Sequence, residues 1–273
     1  MKRFRLSLVL AVVLAVAVAV SFGATRASAG KGDRVVVEPG QKVQIALTST
    51  GQFGPGFKEG PFNAVMMAIA MHPTIRGFPI QVKTVDIRCS SDPVPPATDV
   101  LNRVAATAIV THVQNTAVIG GFCSSASQVM LPIYEEAGVV AISGSATRDN
   151  LPTLAPTVFN RTVVSEGDGG EAWFAQVTGL PSVQDWNHYH GAFPVSGPTS
   201  DFDSLYFDAA TLLLDRLQQV SKIKDGNLVI DRKELAKAVR RTTDFPGVTC
   251  TITLDPKTGN RINDPASLAG CAG

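Results

Sequence analysis

Two clusters of small hydroxyl residues are the part of this sequence best suited to polar chemistry. Both lie in the segment GFCSSASQVMLPIYEEAGVVAISGSATRDNL, which runs from Gly121 to Leu151. The clustered residues are Ser124, Ser125, Ser127, Ser143, Ser145 and Thr147. A hydroxyl both donates and accepts hydrogen bonds, so the clusters suit a small polar ligand. Catalysis is a weaker interpretation, because GFCSSAS is not a G-x-S-x-G nucleophile elbow and no His and Asp pair is evident to activate a serine.

Each cluster follows a short apolar run that reads as a buried strand. The predicted strands cover 42–50, 78–88, 116–121 and 138–143, and the predicted helices cover 57–71, 96–111 and 125–137. Strands that alternate with helices predict an α/β fold, a doubly wound parallel sheet with helices on both faces. Ligands of such sheets bind just beyond the carboxyl ends of the strands. Both clusters and the loop STGQFG (49–54) are therefore predicted on one rim.

A structural role for these hydroxyls is the alternative, because most serines at such positions are helix N-caps or turn formers. One cluster alone would fit that alternative. Two clusters and a loop on one rim favour a ligand site. Ser124 and Ser125 also begin a predicted helix, where unpaired N–H groups and the positive end of the helix dipole attract an anion such as a carboxylate.

Composition excludes several classes of partner. The chain has 273 residues, of which 45% are hydrophobic and 17% charged, which suffices for one large domain or two small ones. A net charge of +1 and evenly scattered Lys and Arg give no footprint for nucleic acid or for an anionic membrane surface. His188 and His190 lack a third ligand at metal-binding spacing, so we expect neither a metal nor a cofactor.

The N-terminus predicts export. Basic residues precede an apolar run from Leu6 to Val20, and the small residues of ASA (27–29) suit signal peptidase, so residues 1–29 are interpreted as a cleavable signal peptide. A membrane anchor is the alternative, but the run is shorter than the roughly 20 apolar residues that span a bilayer. A lipid anchor is disfavoured because no Cys lies near the cleavage site. We expect a periplasmic or otherwise extracytoplasmic protein without stable membrane insertion after cleavage.

Four cysteines, Cys89, Cys123, Cys250 and Cys271, suggest disulfides in such a compartment. Their spacing lacks the close CxxC pairs of a zinc or redox site. Pairing neighbours along the chain gives Cys89–Cys123 and Cys250–Cys271, one of three possible connectivities. The alternative for the second pair is that Cys250 and Cys271 stay free.

The hydroxyl clusters belong to longer motifs that resemble a known family. The segments CSSASQVMLPIYEEAGVVAISGSATRDNL, TSTGQFG and VFNRTVV, together with the upstream Cys89, resemble the branched-chain amino acid binding proteins of bacterial ABC importers. The likeness resumes in FDSLYFDAATLLLDRLQQV and in DRKELAKAVRRTTDFPGVTCTITLDPKTGNR. The resemblance implies the type I periplasmic solute-binding fold, and it places Cys89 and Cys123 at matching positions.

The resemblance also implies roles for individual residues. Ser124 would hydrogen-bond the α-carboxylate of the ligand, Thr147 would contact both carboxylate and amine, and the backbone carbonyl of Ser145 would accept from the amine. Phe53 would cover the ligand where the family often has Tyr. A buried zwitterion needs such donors and acceptors. The full predicted ligand-binding set is Ser124, Ser125, Ser145, Ala146, Thr147 and Phe53.

One lobe is predicted to be truncated. Residues 30–168 form the predicted N-terminal ligand-binding lobe, and 169–200 a remnant of the second lobe. Family members continue here into a full second lobe, so a piece of about 100 residues is interpreted as absent between Gly169 and Trp173. That piece would supply an acidic residue for the ligand amine.

The remainder of the chain returns to the first lobe. Residues 201–245 are predicted to hold two helices that pack there, and 246–273 a C-terminal strand pair and tail. Amphipathic spacing predicts the helices over 202–220 and 231–242, with Asp231 as N-cap and Glu234 at the capping-box position. Alternation predicts a strand over 247–254.

The predicted function is that of a solute-binding protein of an amino acid ABC importer, impaired by the truncation. Its partners would be an amino acid and a transporter permease. The alternatives are a sensory module or an inactive remnant of such a protein. An enzyme is least favoured, because no catalytic constellation is present.

Overall fold

The computed structural model describes residues 33–91, 93–112, 114–192, 200–264 and 268, and for 188–192 it describes the backbone alone. The predicted signal peptide, Cys271 and the side chains of His188 and His190 lie outside this description. Among the described residues, no helix has both the length and the apolar character needed to cross a membrane.

Nine strands and eight helices are described. The strands are β1 (Arg34–Val37), β2 (Val43–Ser49), β3 (Thr74–Ile75), β4 (Phe78–Asp86), β5 (Asn115–Ile119), β6 (Val140–Ser143), β7 (Phe159–Arg161), β8 (Lys222–Lys224) and β9 (Asn227–Asp231). The helices are α1 (Gly56–Met71), α2 (Pro96–Thr111), α3 (Ser124–Ala137), α4 (Leu151–Leu154), α5 (Gly170–Thr178), α6 (Pro181–Ala192), α7 (Asp203–Val220) and α8 (Arg232–Arg240).

A six-stranded sheet with the order β3-β4-β2-β5-β6-β7 confirms the predicted α/β class. All neighbours pair in parallel except the short β3, which is antiparallel to β4. Every residue of β2, β5 and β6 is buried, as expected for strands covered on both faces. Helix α1 packs against α7, and α2 packs against α3. The usual right-handed crossovers, with the reversal of strand order at β2, put these two pairs on opposite faces of the sheet.

The strand order reverses at β2. From β2 the chain crosses to β4 on one side, and it later returns to β5 on the other side of β2. In open α/β sheets this switch point leaves a crevice beyond the carboxyl ends of the strands, where ligands bind. The loop 50–54 follows β2 and the first hydroxyl cluster follows β5, so both flank the crevice.

The helices agree closely with the sequence prediction. The five predicted helices 57–71, 96–111, 125–137, 202–220 and 231–242 correspond to α1, α2, α3, α7 and α8, with ends that differ by two residues or fewer. The apolar stripe of α7 is fully buried at Leu205, Ala209, Leu212, Leu213 and Leu217. Asp231 caps α8 as predicted, because its carboxylate accepts from the N–H groups of Lys233 and Glu234.

A small antiparallel sheet of β1, β9 and β8 was not predicted. Its pairing places Val35 opposite Ile230 and Val37 opposite Leu228, and all four side chains are buried. Each strand is short, and β1 and β9 are almost 200 residues apart along the chain. Local alternation alone therefore did not reveal them.

The predicted strand over 247–254 was wrong. Only single bridges occur there, Phe245 with Ile252 and Leu254 with Arg261. Cys250 has a φ of 76°, which interrupts an extended backbone. The Asp208 carboxylate accepts hydrogen bonds from the N–H groups of residues 248 and 249. Arg261 Nη2 donates to the carbonyls of residues 249 and 251. These backbone groups are thus already hydrogen-bonded to side chains and are not available to a neighbouring strand.

Between β7 and α7, the described residues form the helices α5 and α6 and no strand. This segment has its own small core, in which Trp173, Val177 and Val183 pack against Leu205 of α7 and Cys250. Arg261 is buried beside it, with its guanidinium carbon 4.7 Å from the centre of the Trp173 ring. The part of the predicted remnant from Trp173 to Val183 is therefore tied to the first lobe by apolar packing.

Candidate functional site

The rim at the carboxyl edge of the six-stranded sheet brings the two hydroxyl clusters together, as the sequence predicted. The Arg148 N–H donates to Ser124 Oγ at 3.2 Å, and Ser145 Oγ donates to the Phe122 carbonyl at 2.7 Å. Each bond joins the loop after β6 to the start of α3. Ser124, Ser145 and Thr147 are all partly exposed on this rim.

The start of α3 offers unpaired backbone N–H groups. Its N-cap is Cys123, whose side chain makes no capping hydrogen bond. The first-turn N–H groups and the positive end of the helix dipole are therefore available to an anion. Ser124 stands at this end, whereas Ser125 is buried and its Oγ accepts from the Ser90 N–H at 3.0 Å. Ser125 thus holds a neighbouring segment in place.

Two glycines shape the turn between β5 and α3. Gly120 and Gly121 have φ values of 139° and 80°, which other residues rarely adopt. A Cβ on Gly120 would collide with the Thr48 hydroxyl. That hydroxyl instead accepts from the Gly121 N–H at 2.7 Å. The turn therefore stays tight against the end of β2.

The loop after β6 is built by Ser143. Its buried hydroxyl donates to the Gly121 carbonyl at 3.0 Å and accepts from the N–H groups of Ser145 and Ala146. The Ser145 hydroxyl lies 2.9 Å from the Tyr206 hydroxyl. No donor among the described residues bonds to the Ser145 carbonyl oxygen, which leaves this oxygen available to a ligand amine.

A buried arginine fixes the same loop. Arg161 Nη1 donates to the carbonyl oxygens of Ala146 and Arg148, both at 3.0 Å, so it holds the chain on either side of Thr147. Arg161 Nε donates to Asn260 Oδ1 at 3.0 Å. Burial lowers the pKa of Arg161 to about 10, although nearby carboxylates oppose this shift. The guanidinium therefore stays charged at neutral pH.

Glu166 adds a carboxylate to the rim that the sequence analysis missed. Thr147 Oγ1 donates to Glu166 Oε1 at 2.6 Å, and the Glu166 N–H donates to the Thr147 carbonyl at 2.9 Å. Glu166 is exposed and follows β7, the next strand along the rim. The rule that located the serines, a polar side chain just after a parallel strand, would also have located Glu166.

A row of aromatic side chains leads from the exposed loop after β2 into the core, and only Phe53 and Phe57 in it are accessible to solvent. Phe53 is 57% exposed and packs edge-on against Phe57, with ring centroids 5.7 Å apart. Phe57 meets Phe122 at 5.8 Å, and Phe122 stacks on Tyr206 at 6.0 Å. This row extends from the predicted cover residue Phe53 to the hydroxyl that contacts Ser145. An apolar ligand side chain would find a matching surface here.

Of the predicted disulfides, Cys89–Cys123 is present, with the two Cα atoms 5.8 Å apart. Cys123 directly precedes Ser124, so the bond anchors the start of α3 to the segment after β4. Cys250 is also disulfide-bonded. Cys271 lies outside the described residues, so its pairing with Cys250 stays a prediction.

A cavity of about 670 Å³ lies away from this rim. It is lined by Met71 and Ile75, by Phe207 and Leu214 of α7, and by the segment 245–248. Met71 ends α1 and Ile75 precedes β4, so the cavity lies at the amino ends of the strands. Ligands of open α/β sheets bind at the opposite edge, and therefore we place the candidate site at the rim.

Comparison with solved structures identifies the fold. An ABC transporter substrate-binding protein from Desulfitobacterium hafniense matches with a TM-score of 0.64 at 15% identity, over 82% of this chain and 96% of its own. The leucine-binding protein LivK from Thermotoga maritima matches with a TM-score of 0.62 at 14% identity, over 81% and 93%. The chain has the type I periplasmic solute-binding fold.

A third match differs in its ligand. The solute-binding protein of an ABC transporter from Rhodopseudomonas palustris, solved with 3,4-dihydroxybenzoic acid, has a TM-score of 0.62 at 11% identity, over 81% of this chain and 91% of its own. No protein-family model matches the sequence, and neither does any curated protein. Because the structural alignments span more than 90% of the neighbours, they do not show the predicted truncation, which stays a prediction.

Proposed function

We propose that this protein is the extracytoplasmic solute-binding component of an ABC importer for small, apolar α-amino acids. The observation that carries the proposal is the juxtaposition of two opposite charges on one rim. The uncapped start of α3 lies beside Ser124, and the Glu166 carboxylate lies beside Thr147. The Arg148 N–H bond to Ser124 Oγ joins the two halves. An α-amino acid carries the complementary pair, a carboxylate and an ammonium.

The start of α3 and the Thr147–Glu166 pair would each bind one charged group of the ligand. The ligand carboxylate would accept from Ser124 and from the first-turn N–H groups of α3. Its ammonium would donate to Glu166 and to the Ser145 carbonyl, with Thr147 between the two. This arrangement assigns Thr147 to the ligand amine alone, whereas the family resemblance implied contacts with both carboxylate and amine. The reason is that a ligand carboxylate placed against Thr147 would face the negative charge of Glu166.

The apolar part of the ligand would lie against the aromatic row. Phe53 is exposed, Phe57 is half-buried, and the buried Phe122 ring packs behind Phe57. A branched aliphatic side chain fits such a surface and leaves no polar group unpaired. The branched-chain amino acids leucine, isoleucine and valine are therefore the expected ligands.

Glu166 also distinguishes this proposal from binding of aromatic acids, the ligand class of the Rhodopseudomonas palustris neighbour. A hydroxybenzoate has a carboxylate and no amine. It would gain from the start of α3 but would leave Glu166 without a cationic partner. The rim thus favours a zwitterion over a simple carboxylate.

Two further parts of the proposal concern the whole protein. The predicted signal peptide would deliver the mature chain, from Gly30, outside the cytoplasm, where a membrane permease is the expected partner. If the second lobe is truncated, ligand stays half solvated and affinity falls to about the millimolar range, roughly −4 kcal/mol. An inactive remnant is the alternative, favoured by the two helices and no strand described between β7 and α7.

Isothermal titration of the mature chain tests the proposal. The panel should contain leucine, isoleucine, valine, polar and charged amino acids, and 3,4-dihydroxybenzoate. We expect the three branched-chain amino acids to bind, weakly if one lobe is missing. Micromolar or tighter binding would mean that a second lobe is formed after all. Binding of the benzoate without any amino acid would overturn the assigned ligand class, and binding of nothing would favour the remnant.

A further inference from the structure

Gln52 makes an unusual pair of hydrogen bonds with a single residue. The Cys89 N–H donates to Gln52 Oε1 at 2.5 Å, and Gln52 Nε2 donates to the Cys89 carbonyl at 3.2 Å. These two opposed bonds are the pattern that a residue of an antiparallel strand makes with its partner. The carboxamide of Gln52 therefore holds the backbone of Cys89 from both sides.

Gln52 is itself fixed at its base. Its N–H donates to Thr50 Oγ1 at 3.2 Å, and the same hydroxyl donates to Gln52 Oε1 at 3.2 Å. Thr50 is buried directly after β2. The amide oxygen thus accepts both from the Thr50 hydroxyl and from the Cys89 N–H, which sets its orientation.

Cys89 connects this loop to the opposite side of the crevice. Its disulfide bond reaches Cys123, the residue before Ser124. The next N–H, of Ser90, donates to Ser125 Oγ at 3.0 Å. The loop with Phe53 and the start of α3 with Ser124 are therefore both fastened to residues 89 and 90.

Burial does not fix the loop 51–53. Gly51, Gln52 and Phe53 are all exposed, and the Phe53 ring packs in a T-shaped contact with Phe57. A residue with so little buried surface gains little packing energy. Within the loop, the Gly54 N–H donates to the Gly51 carbonyl at 3.2 Å, and Gln52 bonds to Thr50 at the end of β2. The two bonds from Gln52 to Cys89 are the ones that tie this loop to the segment after β4.

We infer that Gln52 is a positioning residue that couples the Cys89–Cys123 disulfide to Phe53, so that the redox state of the disulfide sets the placement of the aromatic cover. The inference rests on the proposed function in one respect, the role of Phe53 over a ligand. Reduction by a dithiol breaks the S–S bond with two electrons and two protons, giving two thiols while the dithiol closes to its own disulfide. Cys89 would then lose its covalent anchor, and hydrogen bonds alone would hold the segment 88–90, those of Arg88 with Asn102 and of the Ser90 N–H with Ser125 Oγ. The point to which Gln52 is bonded would therefore be held less firmly.

Hydrogen exchange without any ligand tests the coupling first. In Gln52→Ala, amide exchange in segments 50–57 and 88–91 should rise by about tenfold, the effect of losing the three side-chain hydrogen bonds of Gln52. Treatment with dithiothreitol should accelerate exchange over 50–57 in the wild type but add little in Gln52→Ala, because the link is already cut. Gln219→Ala, at an exposed glutamine of α7, is the matched control and should change neither segment.

The outcomes separate clearly. Exchange over α7 reports global opening, so acceleration that is equal in 50–57 and in α7 contradicts the inference. Equal responses of the wild type and Gln52→Ala to dithiothreitol would also overturn it, because the disulfide would then reach the loop without Gln52.

Leucine binding provides a second test of the coupling between Gln52 and Phe53. With leucine as the probe, Gln52→Ala should weaken binding about threefold to tenfold in the wild-type background and have no effect in Phe53→Ala. Additive effects would show that Gln52 does not act through Phe53. If no amino acid binds at all, the proposed function fails, while the exchange experiment still decides the coupling.

Discussion

The hydroxyl of Thr147 donates a 2.6 Å hydrogen bond to the carboxylate of Glu166. A second bond, from the Glu166 N–H to the Thr147 carbonyl, holds the two residues together through the backbone. Thr147 therefore presents the lone pairs of its hydroxyl to the crevice beside a negative charge. Both features attract a donor with positive charge. The position of the ligand amine follows from this pair.

Glu166→Gln should weaken leucine binding by about tenfold or more, because the ion pair with the ammonium becomes a hydrogen bond to a neutral amide. The same change should leave binding of 3,4-dihydroxybenzoate equal or improve it, since a repulsive charge is removed. Glu171→Gln, an exposed glutamate of α5, is the matched control. Titration of both ligands against the three proteins measures the effect. Equal leucine affinity in Glu166→Gln would place the amine elsewhere.

Ser124→Ala should weaken binding of any carboxylate ligand by about 1–3 kcal/mol, the range for losing a hydrogen bond to a charged group. Because the start of α3 serves zwitterions and simple acids alike, leucine and the benzoate should be affected to a similar degree. Thr107→Ala, an exposed hydroxyl of α2, is the control and should bind as the wild type does. Ser124→Ala also loses the bond from the Arg148 N–H, so its melting temperature should fall by only about 2–4 °C. A loss confined to leucine would contradict the assignment of Ser124 to the carboxylate.

Arg161→Lys tests the fixation of the loop after β6. Lysine keeps the positive charge but lacks the planar guanidinium group. That group donates to the Ala146 and Arg148 carbonyls and to Asn260 at the same time. We expect a loss of about 1–3 kcal/mol in the free energy of unfolding, because buried carbonyls lose their donors. Urea unfolding measures this loss. Arg103→Lys on α2, where the arginine pairs with Asp99 near the surface, should change stability by less than about 1 kcal/mol.

Sequence patterns predicted those parts of the fold that follow from local periodicity. The apolar stripe of α7 has the period of a helix, whereas β5 and β6 are short, mainly apolar runs of strand length next to glycines, so their type and extent were recoverable. The strand predicted over 247–254 also alternates. It fails because Asp208 of α7 accepts from its N–H groups and Arg261, from the turn that follows, donates to its carbonyls. Such side-chain bonds leave no periodic signal in the sequence.

The sequence likewise predicted one part of the candidate site, its location, and not another, which of its polar groups remain available. Its location follows from the rule for parallel sheets, and Ser124, Ser145 and Thr147 do meet at one rim. Ser125 was predicted as a ligand residue and stays a prediction, although its hydroxyl is buried and already accepts from the Ser90 N–H. The Ala146 carbonyl is likewise taken, by Arg161. Which hydroxyls and carbonyls stay available depends on partners from other strands, and spacing along the chain does not encode this.

The Cys89–Cys123 disulfide should stabilise the chain by about 2–4 kcal/mol, because it restrains a segment of 34 residues in the unfolded state. Replacing both cysteines with alanine and measuring urea unfolding gives this difference. Mass spectrometry of the non-reduced protein after export should show the two cysteines in one linked peptide. The same digest will show whether Cys250 is joined to Cys271. Recovery of Cys89 and Cys123 as free thiols would remove the claim.

Asp203 makes stability depend on pH. Its carboxyl group is buried at the start of α7 and accepts from the Ser200 N–H at 2.9 Å and the Ser200 hydroxyl at 2.5 Å. Burial raises its pKa to about 7 from an ordinary 3.8, although the bonds from Ser200 oppose the shift. Between these two pH values the folded chain keeps a proton that the unfolded chain releases. Stability contributed by this group is therefore complete below pH 4 and lost as the pH rises through 7.

Asp203→Asn should flatten that dependence. The wild type should lose up to about 1.4 kcal/mol per pH unit from this group between roughly pH 4 and 7, a slope that asparagine cannot produce. Burial also raises the pKa of Asp208, and burial lowers that of His112, but both contributions are shared by the two proteins and cancel in the difference. Urea unfolding at half-unit steps from pH 4.5 to 8 measures the two curves. Asp185 is an exposed aspartate of α6, and the control variant Asp185→Asn should keep the wild-type slope. If the stability curve of Asp203→Asn runs parallel to that of the wild type, Asp203 is already ionised in the folded chain.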